Sequence, residues 1–158
     1  ERMRDGKATT LGVASGAVAG LVAITPASGF VDPKGALFIG FAAGIVCYLS
    51  AVWMKRLFGY DDALDAWGVH GVGGALGAML TGVFANSAIN MAGKGMIHDG
   101  NTGQLLIQLY DVLGTFIYCA IVTFIILKVI DVVIGLRVKR DVEVEGLDIN
   151  LHGETVHS

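Results

Sequence analysis

Four apolar stretches decide what this chain can fold into. They run at about residues 10–29, 35–54, 66–85 and 108–134, and each supplies the ~20 residues that carry a helix across a hydrocarbon core. Lipid offers no partner to a backbone amide or carbonyl, so such stretches must satisfy those groups internally, as helices. The expected architecture is all-α and integral to a membrane. A region of four transmembrane helices, 1–134, is followed by a tail outside the bilayer, 135–158.

Composition points the same way. The 158 residues are 54% hydrophobic and only 16% charged, against roughly 25% charged in soluble domains. A net charge of −3 and the lack of a basic patch interleaved with aromatics exclude a nucleic-acid partner. Cys47 and Cys119 lie in apolar runs without ligand spacing. They read as two buried free thiols, and no metal or cofactor is expected. The chain opens "ERMRDGKATT", without an initiator methionine or a signal peptide, and so reads as an interior loop of something longer.

Four crossings return both ends to one side. That side holds Arg2, Arg4, Lys7, Lys55, Arg56, Lys128, Arg137, Lys139 and Arg140, whereas the other holds only Lys34 and Lys94. Lysine and arginine concentrate in cytoplasmic loops, which predicts both ends of this chain in the cytoplasm. The longer outer loop, "NSAINMAGKGMIHDGNTGQ", is rich in glycine and asparagine, as an exposed loop should be.

Small residues recur at helical spacing: Gly12, Gly16 and Gly20; Gly40 and Gly44; Gly73 and Gly77. Small side chains four apart let membrane helices approach closely. Thr25-Pro26 predicts a kink or a helix end, because proline has no amide proton to continue the ladder.

His70 begins the second turn of the third span. Its own face carries Ala66, Gly73, Gly74 and Gly77, all small. Either another helix fills that stripe and His70 is bonded to a carbonyl or hydroxyl, or open space lies beside it. An ionisable residue at membrane depth is functional by default, and an imidazole can accept and donate at once, which suits a polar molecule in single file. Asp65 precedes it by five residues, after Asp61 and Asp62. A carboxylate there caps the helix or complements its dipole; alternatively it shapes a vestibule. Trp67 anchors at the interface or packs between helices.

The stretch "DDALDAWGVHGVGGALGAMLTGVFA", residues 61–85, resembles the tenth span of ammonium transporters of the Amt/Mep/Rh superfamily, Amt branch. The pattern there is D-x-x-D-x-F-G-V-H-G-V-G-G. It is matched at Asp62, Asp65, Gly68, Val69, His70, Gly71, Val72, Gly73 and Gly74, with Trp67 at the phenylalanine. "SGAVAGLVAITPASG" resembles the eighth span, and "GLRV", "EGLDIN" and "HGE" resemble the cytoplasmic tail. The resemblance implies spans eight to eleven of an eleven-span protein, ending in its own tail.

It also implies roles. His70 would be the second of a twin-histidine pair lining a pore that conducts ammonium as ammonia, with or without separate proton transfer. Ala66 would face the inner pore, and Thr25 a polar position near the path. Asp65 and Asp62 would support the pore or its vestibule, and Gly73, Gly74 and Gly77 the helix packing. The first histidine, the outer aromatic cage and the phenylalanine gate belong to spans this chain lacks. The protein would be a homotrimer in the cell membrane and not an enzyme, with a PII-type signal protein as partner at the cytoplasmic face. A membrane sensor of ammonium on the same fold is the alternative, and a proton-handling enzyme subunit a more distant one.

In the tail, Gly135, Arg137, Gly146, Asp148, His152 and Gly153 would be regulatory. Leu136, Val138, Leu147, Ile149 and Leu151 are spaced among charges there, and Gly146 and Gly153 can punctuate turns. This predicts an ordered tail; a freely solvated one is the alternative. The tyrosine usual after "HGE" is absent, with His157 at its spacing. Asn150 stands where plant relatives often carry a regulatory threonine.

Overall fold

The computed structural model describes residues 6–154; Arg2 and Arg4 of the charge tally and His157 of the tail lie outside them. All regular structure among the described residues is helical. The described residues form two units, divided between Gly114 and Thr115.

Helix α1, Thr10–Ile24, begins where the Thr9 hydroxyl accepts from Gly12 N at 3.0 Å, satisfying one of the amides that a helix start leaves open. It ends at Thr25-Pro26, where the chain tightens into a 3₁₀ turn, Thr25–Ala27. Gly29, at φ +80, then turns the chain back, in a conformation that costs glycine little. Helix α2, Pro33–Leu49, starts with proline at a helical position needing no amide proton and with Asp32 accepting from Gly35 N at 2.7 Å. It continues through a π-helical turn, Ser50–Met54, and a last α turn, Lys55–Phe58. The apolar stretch predicted to stop near residue 54 is thus one helix to Phe58, ended by the left-handed Gly59.

The third stretch opens on a second π-helical turn, Trp67–Gly71, and runs into α3, Val72–Phe84. Among the described residues, three helical runs are long and apolar enough to cross a membrane: Thr10–Ala27, Pro33–Phe58 and Gly103–Val133. The third stretch is not among them; its six glycines and His70 dilute its apolarity. It packs against both α1 and α2, which also pack on each other, and its Val69 joins a core of mostly small side chains, Ala19, Ala23, Ala27, Ala43 and Cys47, with Ile39 the largest.

The loop after α3, expected on the outer side, carries a short helix, α4, Met96–Asp99. It is less open than its composition predicts. Gly93 and Gly95 are buried, Gly93 under the Phe30 ring and Gly95 on the Ala85 backbone, and Asn86 N donates to Phe30 O at 2.9 Å. Helix α5, Gly103–Val133, begins five residues before the predicted 108 and runs unbroken through Asp111 and Lys128. The expectation of two buried thiols is corrected here: Cys47 is buried but Cys119 is exposed, because the apolar side chains around it on α5, such as Tyr118 and Ile121, are uncovered.

In the second unit, Gly135 at φ +82 ends α5, its amide donating to Ile130 O and Asp131 O. Helix α6, Arg140–Glu145, and a π-helical turn, Asp148–His152, follow.

Candidate functional site

The site is built where two π-helical turns meet. Gly68, in the turn Trp67–Gly71, lies so close to the turn Ser50–Met54 that a methyl carbon on it would stand 3.0 Å from Ala51 N. A π turn accommodates one residue more than an α turn and is frequent at functional sites. The contact with Ala51 is what a side chain at position 68 would prevent. The Trp67 ring folds back over Gly71, 2.7 Å from where a Cβ there would be. Trp67 therefore packs along its own turn while remaining 42% exposed.

The same stripe continues down α3. A methyl group on Gly73 would stand 2.9 Å from Cys47 Sγ, and one on Gly77 would overlap the Ala23 carbonyl. These two glycines seal α3 against α2 and α1. Gly74 differs: a methyl group there meets nothing within 4 Å in this chain, as is also true at Gly16, Gly20, Gly40 and Gly44. The Cys47 thiol points at Val69 O, 3.9 Å away.

His70 is exposed, one residue after the buried Val69. Gly68, Gly73 and Gly77 face inward, and the imidazole faces out. Ala66 is likewise exposed. Thr25, at the far end of α1, is exposed too, and its hydroxyl donates to Leu21 O at 2.7 Å, leaving its lone pairs to accept. An apolar cleft of about 650 Å³, lined by Leu11, Ser15, Ala19, Tyr48, Asp65 and Val69 among others, does not include His70 or Thr25 in its wall.

The aspartates divide their work differently from the simplest expectation. Asp62, not Asp65, caps the third stretch: its Oδ1 accepts from Ala66 N at 2.8 Å and its Oδ2 from Trp67 N at 3.0 Å. Asp65 stands at φ +53, the one left-handed non-glycine among the described residues, and its carboxylate is held by Lys55 Nζ at 2.6 Å. The same ammonium donates to Asp62 O at 2.8 Å. In the sequence alone Lys55 is only one of the positive charges between two apolar stretches. Its partners lie seven and ten residues on, across a turn whose path no periodicity reveals.

The tail residues gather in the second unit. Arg137 forks onto Glu143, Nε to Oε2 at 3.2 Å and Nη2 to Oε1 at 2.9 Å. Gly146 stands at φ +116 and Gly153 at φ +66. The Asp148 carbonyl accepts from Glu154 N at 3.0 Å, and Gly153 N donates to Ile149 O at 3.2 Å. His152 is exposed.

The sequence model of the Ammonium Transporter Family matches residues 1–157. The chain belongs to this family. The ammonium transporter of Aquifex aeolicus is 49% identical over 158 residues, 100% of this chain and 37% of that protein. The ammonium transporter Amt1 of Archaeoglobus fulgidus is 46% identical over 154 residues, 97% of this chain and 38% of that one. The crystal structure of Saccharomyces cerevisiae Mep2 matches at a TM-score of 0.79 with 38% identity, over 89% of this chain and 33% of the Mep2 chain. This ammonium transporter family chain therefore spans a little over a third of the length of the curated relatives it matches. The family is one of multi-pass membrane transporters, not of enzymes.

Proposed function

We propose that the complete protein conducts ammonium across a cell membrane, passing it as ammonia through a narrow lumen that His70 helps to line as the second of two pore histidines. The observation that carries this reading is the orientation of His70. On a helix whose glycines are pressed into its neighbours, the imidazole is left uncovered. A charged group at the bilayer centre costs about 3 kcal/mol or more, so a lumen that strips the proton and admits neutral ammonia lowers the barrier. An imidazole supplies the hydrogen bonds that replace water there, donating at one nitrogen and accepting at the other. Ala66, one turn toward the cytoplasmic end, and the Thr25 hydroxyl are further wall positions. Asp62 and Asp65 shape the inner mouth.

In this reading both ends of the chain are cytoplasmic and the protein is a homotrimer. The folded tail after Gly135 docks on the cytoplasmic face, within reach of a PII-type signal protein. The test is His70→Ala in the complete protein, with methylammonium uptake measured at matched membrane expression. Uptake is expected to fall and its pH dependence to change. Wild-type rate, selectivity and pH profile would overturn the pore assignment.

A further inference from the structure

We propose that Lys55 is a positioning residue for His70, tying α2 to the turn that starts the third stretch and so setting where the imidazole stands. The proposal rests on the reading of His70 as a pore residue.

Two bonds converge on one ammonium. Lys55 Nζ donates to the Asp62 carbonyl at 2.8 Å and to Asp65 Oδ1 at 2.6 Å. Each acceptor belongs to a residue that itself defines the start of the third stretch. The Asp62 carboxylate holds the amides of Ala66 and Trp67. The Asp65 carbonyl accepts from Val69 N at 2.9 Å, the residue before His70. Asp65 makes that bond from a left-handed conformation, which aspartate enters more readily than most residues but still at a cost to the backbone. The Lys55 ion pair is the hold that the structure supplies.

Lys55 also follows directly on the π turn Ser50–Met54, whose Ala51 bears on Gly68 of the π turn Trp67–Gly71. The bridge and the backbone contact thus clamp the same two segments from two sides. A π turn that relaxes to α geometry drops one residue from its register. That rotates the side chains on one side of it by about 100° relative to the other. His70 sits inside such a turn, so freeing Asp65 reaches the imidazole without touching it. The pair is partly exposed, at 31% and 39% for the two side chains, and its consequence is geometric more than energetic.

The test uses the complete protein and initial methylammonium uptake, normalised to protein in the membrane, for wild type, Lys55→Met, Lys55→Arg, Asp65→Asn, His70→Ala, His70→Asn and the Lys55→Met/His70→Asn double variant. Lys55→Met is expected to lower maximal uptake about tenfold while the half-saturating concentration stays within about twofold, the pattern of a displaced group rather than a lost binding contact. Asp65→Asn, which tolerates the left-handed backbone and keeps an acceptor but lacks the charge, should lose uptake in the same way but to a smaller extent. Lys55→Arg should recover more than half of the loss. In a His70→Asn background the Lys55→Met loss should shrink to less than about twofold, since residues acting through one another are not additive. Wild-type uptake in Lys55→Met, or an undiminished loss in the His70→Asn background, would overturn the positioning role. If Lys55→Met fails to reach the membrane, Asp65→Asn and Lys55→Arg carry the same comparison. His70→Ala with wild-type uptake would overturn the pore reading and this proposal together. An impaired His70→Ala beside a silent Lys55→Met overturns the proposal alone.

Discussion

Gly77 lies so close against Ala23 that a methyl group on its Cα would overlap the Ala23 carbonyl oxygen. Both partners at this crossing are backbone, so neither can turn aside. Gly77→Ala should therefore part α1 from α3, with a cost of about 1–3 kcal/mol or more for an overpacked core. Gly74→Ala is the comparison, because a methyl group there meets nothing within 4 Å in this chain. Thermal unfolding of the complete protein in detergent should show a clear loss for Gly77→Ala and a smaller one for Gly74→Ala. Equal midpoints would contradict the assignment of close packing to Gly77.

The cap at Asp62 makes a local prediction. Two amides depend on this one carboxylate, and removing a helix cap costs about 0.5–2 kcal/mol. Asp62→Ala should speed hydrogen exchange at residues 66–69 in the complete protein while the core of α2 stays protected. Asp62→Asn, which keeps an acceptor, should do so less. Unchanged exchange in the alanine variant would remove Asp62 from the capping role.

Asp99 gives the loop at residues 85–102 a pH response. The Ser87 hydroxyl donates to its Oδ1, and the amides of Ser87 and Gly95 donate to its Oδ2 at 3.2 and 3.1 Å. These bonds, the Ser87 hydroxyl first, hold the carboxyl below its usual value. Its folded value is the lower one, so its contribution to loop order is fully present above the ordinary aspartate value, about 3.9. It is lost as pH falls through the depressed value. Proteolysis of the loop at residues 85–102 should become faster as pH falls below about 4. Asp99→Asn should abolish that pH dependence, and Ser87→Ala should move it upward. A loop whose protection is flat with pH in the wild-type protein would refute the linkage.

The parts of this fold that can be read along the chain are those set by short-range chemistry. Apolar length marks the long helices and Thr25-Pro26 marks the end of α1, whereas the glycine stripe expected on His70's own face is not shared with it: Gly73 and Gly77 pack inward and the imidazole is exposed. The π turns are different. Gly68 and Ala51 are 17 positions apart, and the turns around them meet backbone to backbone, a contact that no local pattern announces. The exchange of roles between Asp62 and Asp65 has the same origin. Both stand within a turn of the helix start, and only the left-handed backbone at Asp65 decides which carboxylate faces the amides. Lys55 could not be paired in advance, because its partners are chosen by the path of the loop between. The buried Gly93 and Gly95 were hidden by a composition that ordinarily marks exposed loops.

The tail supplies the last prediction. Its order depends on glycines in conformations that other residues enter at a cost: Gly135 at φ +82, Gly146 at φ +116 and Gly153 at φ +66. Gly146 is the most demanding, with ψ 134 beside that φ. A side chain there should cost about 1–3 kcal/mol of local strain. It separates α6, whose amide at Gly146 closes back on Val142 O, from the π-helical turn, where Asn150 Nδ2 donates to Gly146 O at 3.0 Å. Gly146→Val should therefore unseat the turn Asp148–His152 from α6 while leaving α5 intact. If the tail couples neighbouring subunits of the proposed trimer, this variant and deletion of residues 146–158 should both lower uptake in a complete protein whose oligomeric state is unchanged. Binding of a PII-type protein, measured separately, reports on docking and not on coupling. Wild-type uptake in both variants would reject coupling through the tail whatever happened to PII binding. Loss in the deletion but not in Gly146→Val would place the coupling in the side chains rather than in the shape of the turn.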